Sequence, residues 1–273
     1  MTITPHNLAS LSVPSLTSAA DGYGRWAPIY DRSPNPLLAR EERYLFPLLA
    51  DARGKRIIDI ACGTGRWIEK LATHGSESCV GVDCSAAMLE IANAKHLAGR
   101  LTRATCEGLP FANEIFDVAI CSFALGHITD IESFAVEVFR VSKPGADFFL
   151  TDLHPVAYEQ GWRVGFRDER AAVEIETIPR QADEIMSVFS SSGFKGICHE
   201  SLWLEAPERS IFARAGKEDR FASASQVPAI IAFHLRRSHV ASDIGRRKCR
   251  SLQWSPLNCG GDGDESATGR RYR

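Results

Sequence analysis

The chain of 273 residues lacks the features of membrane, secreted and highly charged proteins. It has no uninterrupted apolar run near the roughly 18 residues that a membrane-spanning helix requires. Its first 24 residues contain no Lys or Arg, which disfavours a secretory signal. Lys and Arg number 32 against 34 Asp and Glu, so no large charge of one sign is available to capture nucleic acid or an anionic membrane. We therefore expect a cytoplasmic protein with no membrane span and no broad affinity for nucleic acid.

The cysteines and histidines lack the spacing of a metal site. The eight cysteines form no Cys-x-x-Cys pair, and several of them lie within apolar runs, as Cys121 does. His234 and His239 are five residues apart, but Arg236 and Arg237 between them would repel a cation. Buried thiols in a reducing cytoplasm are favoured over the two alternatives, a disulfide framework and a zinc site. No metal is expected.

Short apolar runs alternate with amphipathic helical stripes over most of the chain. The predicted strands are 56–61, 79–82, 116–121, a strand opening at 148, 195–204 and 227–236. The helical stripes between them have apolar residues at helical spacing, as at Ile131, Phe134 and Val138. A β-hairpin is predicted within 162–178. Because continuous apolar strands are buried on both faces, we predict a parallel sheet that helices cover on both sides.

The most informative stretch is RIIDIACGTGRW at 56–67, followed by CVGVDCSAAML at 79–89. A strand ends near Asp59, and a tight loop with Gly63 and Gly65 then leads into a helix. Asp83 follows Gly63 by twenty residues, at the end of the second strand. In an open parallel sheet, that position faces the ligand crevice, where a carboxylate can accept hydrogen bonds from two ribose hydroxyls. The unit predicts a ligand that contains a nucleoside.

The same loop disfavours a diphosphate. The three glycine positions of the dinucleotide-binding pattern are occupied by Ala61, Gly63 and Arg66, so two of them are not glycine. The phosphate-loop pattern with Gly-Lys-Ser/Thr is also absent. A nicotinamide oxidoreductase is therefore the weaker alternative.

These features resemble the class I S-adenosylmethionine (SAM)-dependent methyltransferases, in the type-11 branch that includes ubiquinone/menaquinone C-methyltransferases. The matching pieces, in chain order, are YGRWAPIYD, IDIACGTGRW, VGVDCSAAMLEIA, LPFANEIFDVAICSFALGHITD and EVFRVSKPGADFFLTD. The resemblance implies a Rossmann-like doubly wound α/β sheet, mostly parallel with an antiparallel last strand. It also implies SAM as the cofactor, and methyl transfer to an O, N or C atom of a small-molecule acceptor. The alternative is a SAM-binding regulatory or partner protein without turnover.

The resemblance implies a cofactor-binding residue at each matching position. The set is Tyr30, Asp59, Ala61, Gly63, Gly65, Asp83, Ser85, Met88, Cys106, Glu107 and Phe123. Asp59 and the loop would line the methionine end of SAM, Asp83 the ribose, and Phe123 the sulfonium. Tyr30 and Tyr23 belong to a segment that closes over the cofactor in relatives.

Two positions depart from the family pattern. Ala61 replaces the usual first glycine of the loop, and Thr105 replaces an acid that usually lies at the adenine site. Recognition of adenine would then depend on backbone groups or on Glu107.

The catalytic candidates are His154 and His127, with Asp152 as a further one. Both histidines follow strands on the carboxyl side of the sheet, where substrates bind, and His can act as a base near neutral pH. His127 also matches a family position that is often structural.

The predicted organisation has four parts. They are a flexible N-terminal arm (1–22), a lid or helical cap (23–50), a SAM-binding methyltransferase domain (51–237) and a disordered basic tail (238–273). An insertion at about 155–180 would form either the acceptor pocket or a dimer contact, which leaves the oligomeric state open.

Overall fold

The computed structural model describes residues 14–49, 52–75, 78–97, 99–169 and 171–239. Residues 1–13 of the predicted arm, and the predicted tail from residue 240 onward, lie outside the described residues. The boundaries predicted for the lid, the main domain and the insertion stay predictions.

The helices and strands alternate in the order that the sequence predicts. The strands are β1 (Ser15–Thr17), β2 (Ile57–Ile60), β3 (Cys79–Asp83), β4 (Leu101–Arg103), β5 (Phe116–Ser122), β6 (Ser142–Leu153), β7 (Gly165–Arg167), β8 (Ala172–Ile175), β9 (Phe194–Trp203) and β10 (Pro228–Arg237). The helices are α1 (Ala19–Trp26), α2 (Pro36–Leu49), α3 (Arg66–Thr73), α4 (Ala86–Ala92), α5 (Ile131–Val141), α6 (Pro155–Glu159), α7 (Ala182–Ser191), α8 (Ala206–Arg214) and α9 (Phe221–Ala224).

Seven strands form the main sheet, in the order β4-β3-β2-β5-β6-β10-β9. The first five are parallel, and β10 runs antiparallel to both of its neighbours. The predicted fold class, a Rossmann-like α/β sheet that is mostly parallel with an antiparallel last strand, is confirmed. The carboxyl ends of β2, β3 and β5 therefore meet at one edge of the sheet.

Helices cover both faces of this sheet. Within β2, Ile57 contributes to one buried cluster, with residues of α2 and α3. Ile58 and Ile60 contribute to the other, with residues of α5 and α7. Neighbouring residues of a strand point to opposite faces, so a continuous apolar run is what a doubly covered strand requires.

A second sheet of three strands has the order β1-β8-β7. Its β7–β8 hairpin confirms the one predicted within 162–178. The structure differs from the sequence-based expectation for 1–22, because β1 pairs with β8 and α1 begins at Ala19. Ser18 caps α1 by accepting a hydrogen bond from the Asp21 N–H, and Arg25 forms an ion pair with Asp168 beside the hairpin. These contacts order residues whose composition alone is typical of a mobile segment.

Several short elements were not predicted from the sequence, among them β1, β4, α6, α8 and α9. Strand β4 has only three residues, none of them buried, so it carries no apolar run. Helix α8 begins at a capping box formed by Glu205 and Glu208, a pattern that usually has Ser or Thr in the first position. Within the described ranges, no helix combines the length and the apolar character needed to cross a bilayer.

Candidate functional site

The loop between β2 and α3 has three residues in left-handed backbone conformation. They are Ala61 (φ 56°), Gly63 (φ 54°) and Gly65 (φ 76°). A Cβ atom at Gly65 would lie 2.5 Å from Leu97 Cδ1, whereas one at Gly63 would meet no atom within 4 Å. At Gly65 the left-handed backbone favours glycine and Leu97 would have to move for any larger residue, whereas the backbone of Gly63 borders open space. This geometry lets a ligand approach the main chain at Gly63.

Asp83 joins this loop to the start of α4. Its Oδ2 accepts the Gly63 N–H at 2.8 Å, and its Oδ1 accepts the Ser85 N–H at 2.8 Å. Burial raises the pKa of Asp83, and the backbone hydrogen bonds oppose that rise. Because a carboxylate offers about four lone pairs, it keeps capacity for hydroxyl donors. Asp83 and the open space at Gly63 fit the nucleoside ligand that the sequence predicts.

Ser85 and Met88 come shortly after Asp83 in the chain. The Ser85 hydroxyl caps α4 by accepting the Met88 N–H at 3.3 Å, and the Met88 side chain is buried. Cys106 and Glu107 follow β4. Burial raises the pKa of the Cys106 thiol, with the Glu107 and Asp83 carboxylates as further causes. The structure thus gives these residues positions around Asp83, and their role as ligand contacts stays a prediction.

Asp59 is buried at the end of β2. Burial raises the pKa of Asp59 to about 8, while Arg66 opposes the shift and the Glu41 and Asp83 carboxylates add to it. Four ionisable side chains therefore interact electrostatically at the carboxyl edge of the sheet: Asp59, Glu41, Asp83 and Arg66.

Glu41 is a residue of this site that the sequence analysis missed. It lies on α2, is fully buried, and binds the Arg66 guanidinium and the hydroxyls of Ser122 and Thr151. The signal for it is its spacing of four from Leu37 and from Leu45, because an acid within an apolar helical stripe must enter the interior.

The segment at 19–32 packs over the loop and α4. Asp31 accepts a hydrogen bond from the Thr64 hydroxyl at 2.7 Å and forms an ion pair with Lys95 at 2.7 Å. Burial raises the pKa of Tyr30 to about 12, and the Arg66 charge opposes this shift. Tyr30 also stacks edge-on against Trp26, with ring centroids 4.9 Å apart. A segment tied to the glycine loop in this way can exclude water from it.

Phe123 follows β5 and has a left-handed backbone (φ 53°). Its N–H donates to the Thr151 carbonyl at 2.8 Å, and its side chain is buried in the cluster that contains Trp26. A bulky residue in this conformation is strained, and such strain is typical of functional sites.

His127 contacts the segment at 19–32 directly. Its Nδ1 lies 2.9 Å from the Glu176 carbonyl and its Nε2 lies 3.0 Å from the Tyr23 hydroxyl. Burial lowers the pKa of His127, against the nearby Asp152 charge. Since a carbonyl only accepts, the neutral ring has its proton on Nδ1, and Nε2 accepts from Tyr23. Both ring nitrogens of His127 are thus hydrogen-bonded within the fold.

His154 has different surroundings. It caps α6, where its Nδ1 accepts the Val156 N–H at 3.2 Å. Its Nε2 then donates to the Ser201 hydroxyl at 3.0 Å. Burial lowers the pKa of His154. Both ring nitrogens are bound within the fold, and the catalytic role of either histidine stays a prediction.

A small cavity of about 10 Å³, enough for about one water molecule, lies beside Asp152. Its lining is largely apolar and includes one cation, Arg180. Its lining residues are Leu125, Gly126, Asp152, Leu153, Tyr158, Thr177, Ile178, Pro179, Arg180, Ile185 and Ile231. The cavity includes parts of the insertion at about 155–180.

Comparison with known proteins matches residues 57–145 to the family described as "Methyltransferase domain". The chain is 33% identical over 139 residues to a ubiquinone biosynthesis O-methyltransferase of Hahella chejuensis, which covers 49% of this chain and 56% of that protein. It is also 33% identical over 132 residues to a demethylmenaquinone methyltransferase of Lactiplantibacillus plantarum, covering 44% of this chain and 56% of the relative. The chain thus spans little more than half the length of these relatives.

The fold also matches solved structures. One is an S-adenosylmethionine-dependent methyltransferase of Mesorhizobium loti, with a TM-score of 0.58 and 22% identity over 74% of this chain and 100% of that one. At this identity the match supports the fold alone. The family match covers β2 to the start of β6, where all the predicted cofactor-binding residues except Tyr30 lie.

Proposed function

We propose that the chain is a class I SAM-dependent methyltransferase of the ubiquinone/menaquinone type, because residues 57–145 match the methyltransferase-domain family and the similar relatives include enzymes of this type. The proposed acceptor is an O, N or C atom of a small molecule. The observation that carries the proposal is the Asp83 carboxylate, which links the backbone N–H groups of Gly63 and Ser85 beside the open space at Gly63.

The residues around this carboxylate fit the cofactor. Asp83 would hold the ribose hydroxyls, Met88 and Cys106 would border the adenine, and Asp59 would face the methionine end. When bound, SAM supplies a methyl group on a sulfonium, which is already activated for in-line displacement. The protein then mainly orients the acceptor and excludes water. The segment at 19–32, tied to the loop through Asp31 and Thr64, suits the second task.

The acceptor would bind at the carboxyl edge of the sheet, near Asp152. The side chains around Asp152 are largely apolar, which supports an acceptor with an apolar body, and relatives named for quinone biosynthesis are consistent with this class. A nucleophile with a proton needs a base, and His127 and His154 are the proposed candidates. Of the two, we favour His127, because its Nε2 accepts from the Tyr23 hydroxyl of the segment at 19–32, whereas the Nδ1 of His154 caps α6.

A cytoplasmic location is part of the proposal. Among the described residues, five cysteines are free thiols, and three of them are buried: the five are Cys62, Cys79, Cys84, Cys106 and Cys121, and the buried ones are Cys62, Cys79 and Cys121. Unpaired thiols in this number are typical of a reducing compartment.

The test is incubation of the purified chain with methyl-labelled SAM and a cell metabolite extract, followed by mass spectrometry. A labelled small molecule that appears with the wild type and not with Asp83→Ala supports the proposal. Binding of SAM without any labelled product would support the alternative, a regulatory or partner protein.

A further inference from the structure

Glu41 is an acid of helix α2 whose carboxylate is completely buried. Its Oε1 accepts hydrogen bonds from the hydroxyls of Ser122, at 2.6 Å, and Thr151. Its Oε2 accepts from Arg66 Nη2. A buried carboxylate is tolerated only with such partners, because an unpaired one would be very costly.

These partners come from three elements around the carboxyl edge of the sheet. Ser122 ends β5, Thr151 lies near the end of β6, and Arg66 begins α3 directly after the glycine loop. Glu41 therefore fixes the guanidinium of Arg66 between the end of β5 and the loop that begins at Ala61. The proposed function assigns the methionine end of the cofactor to this region.

The guanidinium of Arg66 has a buried donor nitrogen that makes no hydrogen bond among the described residues. Its Nη2 is shared between Glu41 and the Ser122 hydroxyl, the latter at 3.1 Å. Its Nη1 is buried and has no hydrogen-bond partner among the described residues. Glu42 Oε2 lies 3.9 Å from Nη1, which is within ion-pair distance but beyond hydrogen-bond distance. The Trp67 ring also covers the guanidinium at 4.7 Å, which restricts its movement.

A buried guanidinium nitrogen without a partner requires an explanation. The guanidinium of arginine has five N–H donors in a fixed planar arrangement, which suits the two oxygens of a carboxylate. Glu41 already pairs with Nη2 of Arg66, so Nη1 is the part of this cation that is left for the carboxylate of a ligand.

We propose that Arg66 Nη1 donates a hydrogen bond to the carboxylate at the methionine end of SAM, and that Glu41 is the positioning residue that holds Arg66 for this contact. The proposal rests on the proposed function and names residues for one part of the cofactor site. The rival explanation is a purely structural role, in which Glu41 and Arg66 only attach α2 to the sheet.

The two explanations differ in which ligands they affect. S-adenosylhomocysteine and 5′-methylthioadenosine share the adenosine and the sulfur, but only the first has an amino-acid carboxylate. Loss of the Arg66 contact should weaken the first ligand selectively. A structural defect should weaken both ligands together.

The experiment is calorimetric titration of both ligands into the wild type, Arg66→Gln, Arg66→Lys and Glu41→Gln. For Arg66→Gln we expect the Kd of S-adenosylhomocysteine to rise about tenfold or more, as for loss of a hydrogen bond to a charged group. The Kd of 5′-methylthioadenosine should stay within about twofold, which is the level of a neutral change. Glu41→Gln should have the same selectivity with a smaller rise, and Arg66→Lys should retain part of the affinity because its charge remains.

Lys70→Gln is the matched control, because Lys70 lies one turn further along α3 and pairs with Glu42 at 2.6 Å. It should leave both affinities unchanged. Equal weakening of the two ligands in Arg66→Gln, or no weakening of either, would overturn the proposal. If circular dichroism shows that Arg66→Gln does not fold, Arg66→Lys replaces it in the test. The same comparison then applies, between the Kd change for S-adenosylhomocysteine and that for 5′-methylthioadenosine. Failure of the wild type to bind either ligand would instead refute the proposed function itself.

Discussion

The carboxylate of Asp83 accepts the backbone N–H of Gly63 at 2.8 Å, although twenty residues separate them in the chain. This bond joins the ends of two parallel strands, β2 and β3, through the loop and the start of α4. It fixes the acid at the edge where a parallel sheet binds ligands. The remaining lone pairs of the acid and the open space beside Gly63 then define the proposed nucleoside site.

Asp83→Ala should remove most of the cofactor affinity. It deletes the acceptor for ribose hydroxyls and the support for the Gly63 N–H, so we expect the Kd for SAM to rise at least about tenfold. Isothermal titration calorimetry measures this change. Asp130→Ala is the control, because Asp130 also stands at a helix start, where it caps α5. It should lower the melting temperature modestly and leave the Kd unchanged, and an equal loss of affinity in both variants would contradict the assignment.

The two histidine candidates predict different defects. His127→Ala should lower kcat by about a hundredfold, which is typical of a lost general base, with the Kd for SAM unchanged. His154→Ala removes the cap of α6 and the bond to Ser201, so its main effect should be a lower melting temperature. Steady-state kinetics with the labelled acceptor and thermal melting of both variants test this. A larger loss of kcat in His154→Ala would make His154 the base.

The buried Asp59 should make stability depend on pH. Burial raises its pKa in the folded protein from 3.8 to about 8, so the folded state holds a proton that the unfolded state has lost. The stabilising contribution of this proton is complete below the unfolded pKa and disappears as the pH rises toward about 8. Asp59→Asn cannot lose the proton, so its advantage over the wild type should grow from pH 5 to pH 8.

Melting temperatures at both pH values check this prediction, with a growing difference of a few degrees expected for a chain of this size. An advantage of the same size at pH 5 and pH 8 would show that Asp59 is ionised throughout.

Two substitutions in the glycine loop should have opposite effects. Ala61 has a left-handed backbone that costs about 1–2 kcal/mol for a residue with a Cβ, so Ala61→Gly should stabilise by up to about 1 kcal/mol after the entropy of the unfolded chain is subtracted. Gly65→Ala introduces the same strain and a Cβ 2.5 Å from Leu97, so it should destabilise by about 1 kcal/mol or more. Urea unfolding gives both values, and a loss of stability in Ala61→Gly would contradict the account of the loop.

Local sequence pattern was sufficient for the central part of the fold. The run at 56–61, the glycines at 63 and 65 and the acid at 83 are all short-range signals, and the sheet has the predicted strand directions. The hairpin at β7–β8 was likewise predicted from its turn. These features depend on neighbouring residues, so a single sequence contains them.

The missed features depend on contacts between distant residues. Glu41 lies within the charged run Arg40-Glu41-Glu42-Arg43, and its partners Ser122 and Thr151 are 81 and 110 residues away. Only its place in the stripe with Leu37 and Leu45 distinguishes it from its neighbours. Strand β1 has no apolar pattern of its own and forms because β8 offers an open edge.

The most direct test of the account is calorimetric titration of SAM into the purified wild-type chain and into Asp83→Ala. The account predicts one binding site in the wild type, with a Kd in the micromolar range or tighter, and a large loss of affinity in the variant. No heat of binding in the wild type, with either SAM or S-adenosylhomocysteine, would contradict it.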